Sequence, residues 1–403
     1  MEKRVFGQRL HPLSVILFSY VILSGCEGGA PPSRSAQDAT LDARKGEAGH
    51  LVIIGGALQS ENAAVYQAIL DSRWGDGPLC VLPTASGTPT SAMDAYVQDF
   101  DALGGPGTAQ GILLTVDNRA LARDEEMAGR LRECSGFFFT GGVQSRVLDV
   151  FLPDGEPTPA YQALWERYQA GAGISGSSAG AAIMSDPMIG GGSSGDALVQ
   201  GVQSREEAAG VWVTPGLGFL KEGIVDQHFL ARGRWARLVV AVLATDNDRL
   251  GFGIDENTAL VVAGDSAWVV GESGVVFLDA RSAVREDDGN GGYGIRLFLL
   301  GAGDGVDLSS GSVAWDGGKS PIPQRTEPFA HPHADLFASG SLLTVLLDLA
   351  TAQDDRVTFH QEGHFLEFRK EPTFSAVAWD GLGVQDTPRG LFLGPFVLSA
   401  WRE

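Results

Sequence analysis

Cysteine and positive charge are both scarce in this chain. Its 403 residues include 3 cysteines, and 29 Lys and Arg residues stand against 50 Asp and Glu residues, for a formal net charge of −21. Three cysteines are too few for a disulfide scaffold. The shortage of basic residues argues against nucleic acid as the partner, because phosphate binding needs a basic surface.

The N-terminus lacks an apolar run long enough to span a membrane by itself. Its apolar stretch VILFSYVIL (15–23) follows the basic residues Lys3, Arg4 and Arg9, the pattern of a signal peptide. The next residues, Leu-Ser-Gly-Cys (23–26), resemble the lipobox of bacterial lipoproteins. We therefore predict a signal peptide over 1–25 and a lipidated Cys26 that anchors the chain in the cell envelope outside the cytoplasmic membrane. An ordinary signal peptide with a chance cysteine is the alternative.

Residues 26–48 are rich in Gly, Pro, Ser, Ala and charges without periodicity, which predicts a flexible tether. The whole chain is 44% apolar and 8% aromatic, as in globular proteins, and its length allows a large core. Cys80 and Cys134 both lie in or beside apolar runs. We expect buried free thiols there, with a disulfide as the alternative in an oxidising compartment.

Short apolar runs alternate with amphipathic stretches from residue 49 to residue 280. This pattern predicts an α/β domain with a parallel sheet covered by helices on both faces. The expected helices cover 60–73, 90–103, 118–133 and 161–169. The expected strands are LVIIGG (51–56), LCVLPTAS (79–86), QGILLTV (110–116), GFFFTGG (136–142) and GISGSSAG (173–180). Ligands of such sheets bind at the carboxyl ends of the strands, where these Gly- and Ser-rich ends would converge.

The pattern changes after about residue 260, where short strands follow one another. We predict that 281–403 forms a mostly β C-terminal extension with one helix over 335–352. No internal repeat is visible in the sequence.

The segment GISGSSAGAAIM (173–184) is a strand pattern that ends in Gly-x-Ser-x-Gly before helix formers. This is typical of a nucleophile elbow, in which small neighbours let one serine hydroxyl stand on a tight turn. An ordinary Gly/Ser/Ala turn is the alternative. A serine nucleophile needs a base, usually a histidine oriented by a carboxylate. Among the seven histidines, His228 alone follows the elbow within the α/β domain, although a lone histidine is more often structural.

Four segments together resemble the cyanophycinase group of serine exopeptidases, which is related to the aspartyl dipeptidases. They are FFFTGGVQ (137–144), GISGSSAGAAIMS (173–185), DQHFLARGRWARL (226–238) and GFGIDENTAL (251–260), and the resemblance covers about 50–278. It implies a fold of the class I glutamine-amidotransferase or flavodoxin-like type. It also implies Ser178 as nucleophile, His228 as base and Glu256 as the acid. Asp226 and Asp255 are the alternative acids.

The amides of Ala179 and Gly142 are the expected oxyanion donors, because Ala179 begins a helix and Gly142 lies at a neighbouring strand end. Ser177 is expected to face away. The resemblance further implies that Gln144, Arg232, Arg234 and Arg237 hold a β-aspartyl-arginine unit of the polypeptide cyanophycin, since guanidinium groups bind carboxylates. Val143 departs from the family, where asparagine is frequent.

We expect a flexible lid over 190–210 whose acidic residues bind the substrate guanidinium; the candidates are Asp196, Glu206 and Glu207. No metal or cofactor is expected. His331, His333 and Asp335 are better explained by a loop before a helix that Asp335 caps, and Gly55-Gly56 lacks the third glycine of a dinucleotide fingerprint.

Two other functions remain open from the sequence. One is a serine dipeptidase or peptidase acting on other aspartyl peptides. The other is a surface-binding lipoprotein that has lost catalysis. A homodimer is likewise left open.

Overall fold

The computed structural model describes residues 48–206, 208–245, 250–286, 290–379 and 388–402. The predicted signal peptide, Cys26, nearly all of the predicted tether and Glu207 lie outside these ranges. Within them, no helix has the length and apolar character needed to cross a membrane.

The strands up to the middle of the chain are β1 (Leu51–Ile54), β2 (Leu79–Leu82), β3 (Ala109–Gly111), β4 (Gly136–Phe139), β5 (Gly173–Ser177), β6 (Met188–Gly191), β7 (Val202–Gln203), β8 (Val211–Thr214), β9 (Ile224–Gln227), β10 (Leu250–Ile254) and β11 (Thr258–Ala263). The later strands are β12 (Ser266–Gly271), β13 (Val275–Asp279), β14 (Val284–Arg285), β15 (Gly292–Leu300), β16 (Gly305–Asp307), β17 (Val313–Ala314), β18 (Lys319–Pro321), β19 (Arg356–Gln361), β20 (His364–Trp379) and β21 (Leu391–Arg402).

The α-helices are α1 (Ala63–Asp71), α2 (Pro89–Gly104), α3 (Glu125–Arg132), α4 (Ser145–Phe151), α5 (Pro159–Gln169), α6 (Ala179–Ala182), α7 (Ser194–Gln200), α8 (Trp235–Ala244) and α9 (Ser341–Thr351). Short 3₁₀ helices cover Val116–Arg123, Pro153–Gly155 and Pro388–Gly390. The strand expected over 110–116 is therefore shorter, and its end turns into a 3₁₀ helix.

The first sheet has the order β17-β16-β12-β11-β1-β5-β4-β2-β3. The five strands predicted from the apolar runs, β1 to β5, are mutually parallel. Alternate residues of β1 point to opposite faces: Leu51 and Ile53 pack with helices α3 to α5, and Val52 and Ile54 pack with α1 and α2. The prediction of parallel strands with helices on both faces is confirmed, and antiparallel strands from β11 onward extend the sheet.

The second sheet has the order β18-β20-β21-β15-β13-β10-β9 and joins strands from both sides of residue 280. β9 and β10 are parallel, and β13 pairs with β10 and with β15. The boundary predicted at residue 280 thus falls between paired strands of one sheet. The region after residue 280 is mostly β, as predicted, and its helix α9 begins at Ser341 rather than at Asp335.

Most of the segment expected to be a flexible lid over 190–210, up to Gln203, has regular secondary structure instead. β6, β7 and β8 form a three-stranded sheet, and α7 lies between β6 and β7. Ala197 and Leu198 of α7 are completely buried in the same core as α8. This burial of apolar side chains is the reason that the segment has regular structure rather than that of an open loop.

Cys80 and Cys134 form a disulfide, with their Cα atoms 5.8 Å apart. Cys80 is on β2, and Cys134 lies between α3 and β4, which is the neighbour of β2 in the sheet. This corrects the expectation of free thiols. Both cysteines are buried, as predicted.

Candidate active site

Ser178 stands on a strained turn between β5 and α6. Its backbone angles are φ 57° and ψ −110°, which side-chain-bearing residues rarely adopt and which the surroundings must enforce. The flanking glycines permit this turn, because a methyl group on Gly176 would lie 2.4 Å from the Gly180 carbonyl oxygen, and one on Gly180 would lie 2.3 Å from that of Phe139. The segment is therefore a true nucleophile elbow in its geometry.

The Ser178 hydroxyl is the first member of a hydrogen-bonded line of three side chains. Ser178 Oγ lies 2.8 Å from His228 Nε2, and His228 Nδ1 lies 2.6 Å from Glu256 Oε1. His228 directly follows β9, and its backbone amide donates to Gly55 O at 2.7 Å, at the end of β1. The fold thus brings together the serine, histidine and glutamate that the sequence singled out.

Gly56 makes room for the imidazole. Its φ is +114°, and a methyl group there would lie 2.3 Å from His228 Cε1 and 2.4 Å from Nε2. The sequence excluded Gly55-Gly56 as a dinucleotide motif but did not indicate that Gly56 makes room for His228. The sequence feature that could have indicated it is the pair of glycines directly after the buried strand β1.

The two alternative acids are engaged elsewhere. Asp226 is paired with Arg237, with its Oδ2 2.7 Å from Arg237 Nε. Asp255 accepts from the Ala231 amide at 2.9 Å and from the Ser273 hydroxyl at 2.7 Å. Among the described residues, Glu256 is therefore the carboxylate that contacts His228.

Burial lowers the pKa of His228, while its hydrogen bond with Glu256 raises it and the charges of Arg232 and Arg234 lower it further. The net shift is downward from the ordinary value of 6.5. The imidazole is therefore neutral at neutral pH and can accept a proton from Ser178.

Ser177, the other serine of the elbow, points away from His228 as predicted. Its hydroxyl forms a hydrogen bond with Tyr96 that opposes the upward effect of burial on the pKa of that tyrosine. In contrast, the Ser178 hydroxyl also has Gln227 Oε1 at 3.5 Å. Gln227 was missed as a site residue, although it lies within the DQHF segment.

The expected oxyanion donors are the amides of Ala179 and Gly142. Ala179 follows Ser178 directly as the first residue of α6. Gly142 has φ +146°, and a methyl group there would lie 2.0 Å from the Ala85 carbonyl oxygen, so the position requires glycine. In the described part of the chain, neither amide donates to another residue. Gly141 also borders the nucleophile, with its missing Cβ 3.3 Å from Ser178 Cβ.

Comparison with known proteins gives a consistent result. Residues 51–270 match the model of peptidase family S51. The chain belongs to this family. It is 34% identical over 268 residues to a cyanophycinase of Geminocystis herdmanii, covering 63% of this chain and 92% of that protein. It is 32% identical over 275 residues to a cyanophycinase of Trichormus variabilis, covering 65% and 87%.

A crystal structure of a peptidase from an acI-B1 Actinobacterium is also similar, at 22% identity and a TM-score of 0.43, covering 57% of this chain and 91% of that one. The family assigned from the sequence motifs is confirmed by the family model and the cyanophycinases. This S51 peptidase is accordingly a serine-type peptidase, a hydrolase with a polypeptide substrate.

Arg237 of the S51 peptidase is occupied within the protein. Its guanidinium binds both oxygens of Asp226, at 2.7 and 2.5 Å, and the Gly192 carbonyl at 2.6 Å. The side chains of Arg237 and Asp226 are 5% and 1% exposed. This corrects the expectation that Arg237 holds a substrate carboxylate, because its bidentate face is already filled.

Arg232 and Arg234 differ from Arg237 in that neither forms a bidentate pair, although Arg234 Nη1 lies 3.9 Å from Asp226 Oδ1 and its side chain is 16% exposed. Arg234 donates to the Gln227 carbonyl at 2.7 Å. Burial, and after it the charge of Arg237, lowers the pKa of Arg234 to about 10, so it stays protonated at neutral pH. Arg232 is exposed, and its side chain has no ion-pair partner among the described residues. Both arginines line a cavity of about 400 Å³ with Arg237, residues 192–195, Gly233 and Phe337.

The other predicted binding residues have structural contacts. The Gln144 amide donates to the carbonyls of Ile189 and Gly190, at 3.2 and 2.7 Å, and so attaches β6 to the elbow region. Asp196 accepts from the Ser193 hydroxyl at 2.7 Å, within the first turn of α7. Glu206 is exposed.

Among the described residues, no three or more His, Cys, Asp or Glu side chains are grouped so that they could hold a metal. His331, considered with His333 and Asp335 from the sequence, instead has its Nδ1 2.9 Å from Asp348 Oδ2. Asp335 accepts from the Phe337 amide at 3.0 Å. It therefore stabilises the turn before α9 and is not the cap of that helix.

Proposed function

We propose that this peptidase is an exopeptidase that hydrolyses cyanophycin to β-Asp-Arg dipeptides through a Ser178-His228-Glu256 triad. The observation that carries the proposal is the line of two short hydrogen bonds from Ser178 through His228 to Glu256. The match to 92% of the length of a cyanophycinase supports the substrate.

In the proposed mechanism, His228 Nε2 takes the proton of Ser178 as Oγ attacks the substrate carbonyl. This requires the tautomer in which His228 Nδ1–H donates to Glu256, whose negative charge stabilises the imidazolium that forms. The Ala179 and Gly142 amides bind the oxyanion, and donors of this kind are worth about 10²–10³ in rate each. His228 then gives the proton to the leaving amine, and water hydrolyses the acyl-enzyme by the same steps in reverse.

Substrate binding is assigned to Arg232 and Arg234, which line the cavity of about 400 Å³ and whose charges lower the pKa of His228. Two arginines in a protein of net charge −21 give this cavity an affinity for carboxylate, since guanidinium groups bind carboxylates in charge-assisted pairs. Arg237 does not bind the substrate in this proposal. It holds the Asp226 side chain and the Gly192 carbonyl in place at the cavity.

The proposed place of action is the cell envelope outside the cytoplasmic membrane, with a lipid on Cys26 as the anchor. The Cys80–Cys134 disulfide supports this location, because such bonds persist in oxidising compartments and are rare in the cytosol. Cell fractionation of the natural chain and of Cys26→Ala tests the anchor; release of only the variant from the membrane fraction is expected.

The function is tested by incubating the purified protein with cyanophycin and identifying the products by mass spectrometry. Release of β-Asp-Arg by the natural chain, and none by Ser178→Ala, is the expected result. Cleavage of α-linked aspartyl peptides alone would instead indicate a peptidase of the same family with another substrate. No cleavage of either substrate would favour the binding-protein alternative.

A further inference from the structure

The cavity that Arg232 and Arg234 line has one wall that comes from outside the family region. Phe337 lines it together with Arg232 and Arg234, yet it belongs to the C-terminal extension, beyond the residues 51–270 that match the family model. The extension therefore contributes to this cavity.

The segment that carries Phe337 is fixed against the loop after His228. The Trp235 indole donates to the Leu336 carbonyl at 2.8 Å, and the Gly340 amide donates to the Leu230 carbonyl at 2.9 Å. Gly233 has φ +58°, and a methyl group there would lie 2.1 Å from the Phe337 carbonyl oxygen. Such close backbone contact holds the Phe337 ring in place beside the cavity.

A second part of the extension reaches the same corner. The hairpin between β19 and β20 turns at Glu362 and Gly363, with φ of 52° and 69°, as in a type I′ turn. The preceding Gln361 donates to Asp335 at 2.5 Å and accepts from the Leu336 amide at 3.0 Å. These bonds tie the hairpin tip to the Phe337 segment.

Phe337 and Glu362 meet at Gly195. A methyl group on Gly195 would have Glu362 Cγ at 3.6 Å and Phe337 Cδ2 at 3.7 Å, so both side chains face the same small residue at the cavity edge. Glu362 is exposed, and its carboxylate has no ion-pair partner among the described residues. An aromatic ring and a carboxylate are thus adjacent at one end of the cavity, and two arginines line it.

This charge pattern is complementary to a residue that carries both a carboxylate and a cation. Arg232 and Arg234 would bind the carboxylate. A planar guanidinium fits the other end, because it pairs with a carboxylate and stacks on an aromatic face. We propose that Phe337 and Glu362 of the C-terminal extension form the subsite for the arginine side chain of the substrate.

This inference rests on the proposed function for its substrate and deepens it. It assigns the substrate guanidinium to Glu362 rather than to Asp196, which accepts from the Ser193 hydroxyl. The test compares a β-Asp-Arg oligomer with the same oligomer carrying citrulline, which has the shape of arginine without its charge. Glu362→Gln removes the carboxylate charge, Phe337→Ala removes the ring, and Glu327→Gln is the control for an exposed carboxylate of the extension outside the cavity.

The natural chain and Glu327→Gln are expected to prefer the arginine oligomer by about 10-fold in kcat/KM, the scale of one charge-assisted contact. Glu362→Gln should lose this preference through KM, with kcat for the citrulline oligomer unchanged. Phe337→Ala should raise KM for both oligomers. An undiminished preference in Glu362→Gln would overturn the inference.

If the natural chain cleaves neither oligomer, the proposed function fails, and direct binding then decides the inference. Calorimetry with Ser178→Ala measures the affinity for the β-Asp-Arg dipeptide and for its citrulline analogue, with and without Glu362→Gln. The subsite is supported if the arginine dipeptide binds more tightly than its citrulline analogue and if Glu362→Gln abolishes this difference in affinity. Equal affinities, no binding, or no effect of Glu362→Gln contradicts it.

Discussion

Gly56 and His228 are so close that a side chain on Gly56 and the observed imidazole position exclude each other. The missing Cβ of Gly56 would lie 2.3 Å from His228 Cε1. The glycine also has φ +114°, in the region that disfavours other residues. The second glycine after β1 thus belongs to the site through the space that it leaves empty.

Gly56→Ala is expected to lower kcat by about 10²-fold or more, since displacement of a catalytic base by about 1 Å has effects of this size. The physical reason is that the methyl group pushes His228 away from Ser178. Steady-state kinetics measure the loss, and the control is Gly317→Ala, where a methyl group meets nothing within 4 Å. Full activity in Gly56→Ala would show that His228 does not work from this position.

The pH dependence of the reaction should report the lowered pKa of His228. His228 must be neutral to accept a proton, so activity falls as the pH drops through its pKa. Because burial and two arginines lower that pKa, the acid limb of the labelling rate of Ser178 by a fluorophosphonate should lie below pH 6.5, the ordinary histidine value.

Arg232→Gln removes one charge that disfavours the imidazolium, so it should move this acid limb to higher pH. The control is Arg356→Gln, which changes an exposed arginine of the extension. An acid limb that stays in place in Arg232→Gln, or that moves to lower pH, is inconsistent with the assigned interaction.

We expect Arg237 to contribute to the stability of the fold and Arg232 to contribute little to it. Arg237→Met removes the bidentate partner of the buried Asp226, with Arg234 Nη1 at 3.9 Å as the remaining cation. It is expected to cost about 3 kcal/mol of unfolding free energy. Arg232→Met changes an exposed side chain and is expected to cost under about 0.5 kcal/mol. Urea denaturation measures both. If Arg237→Met kept its stability and lost only substrate affinity, Arg237 would be the carboxylate ligand that the sequence suggested.

The disulfide should stabilise the first sheet. The double variant Cys80→Ala/Cys134→Ala lacks the bond between these two residues, which are 54 positions apart in the sequence. Its free energy of unfolding is expected to be lower by about 2–4 kcal/mol. Thermal denaturation of the natural chain with and without a reducing agent gives an independent measure. Equal stability of the oxidised chain, the reduced chain and the double variant would show that the bond contributes nothing.

The sequence predicted the parts of the site that lie at the ends of apolar strands. β1 and β4 are apolar runs, and β5 (GISGS) continues the alternation of strands and helices. Their Gly- and Ser-rich ends could therefore be placed at one edge, and the elbow motif identified Ser178 within it. His228 was singled out as the histidine that follows the elbow within the α/β domain, and the family resemblance pointed to the same residue. Glu256 came from the resemblance alone, and the fold brings both residues to Ser178.

What the sequence could not predict depends on contacts between distant elements. Asp226 on β9 pairs with Arg237 on α8 because of how the helix packs on the sheet. No pattern in the neighbouring sequence predicts this pair. The same holds for Cys80 with Cys134 and for Phe337 beside Arg232. The 190–210 segment was misread because its many Gly and Ser residues hide the short apolar pattern of α7.

The proposed mechanism makes Ser178 a nucleophile that His228 activates, with Glu256 orienting the imidazole. It is tested most directly by labelling the purified protein with a fluorophosphonate and locating the adduct by peptide mass spectrometry. The adduct is expected on Ser178 alone, with its rate of formation reduced at least about 10²-fold in His228→Ala and in Glu256→Gln. An adduct on Ser177, or labelling of Ser178 at the natural rate in His228→Ala, would contradict this mechanism.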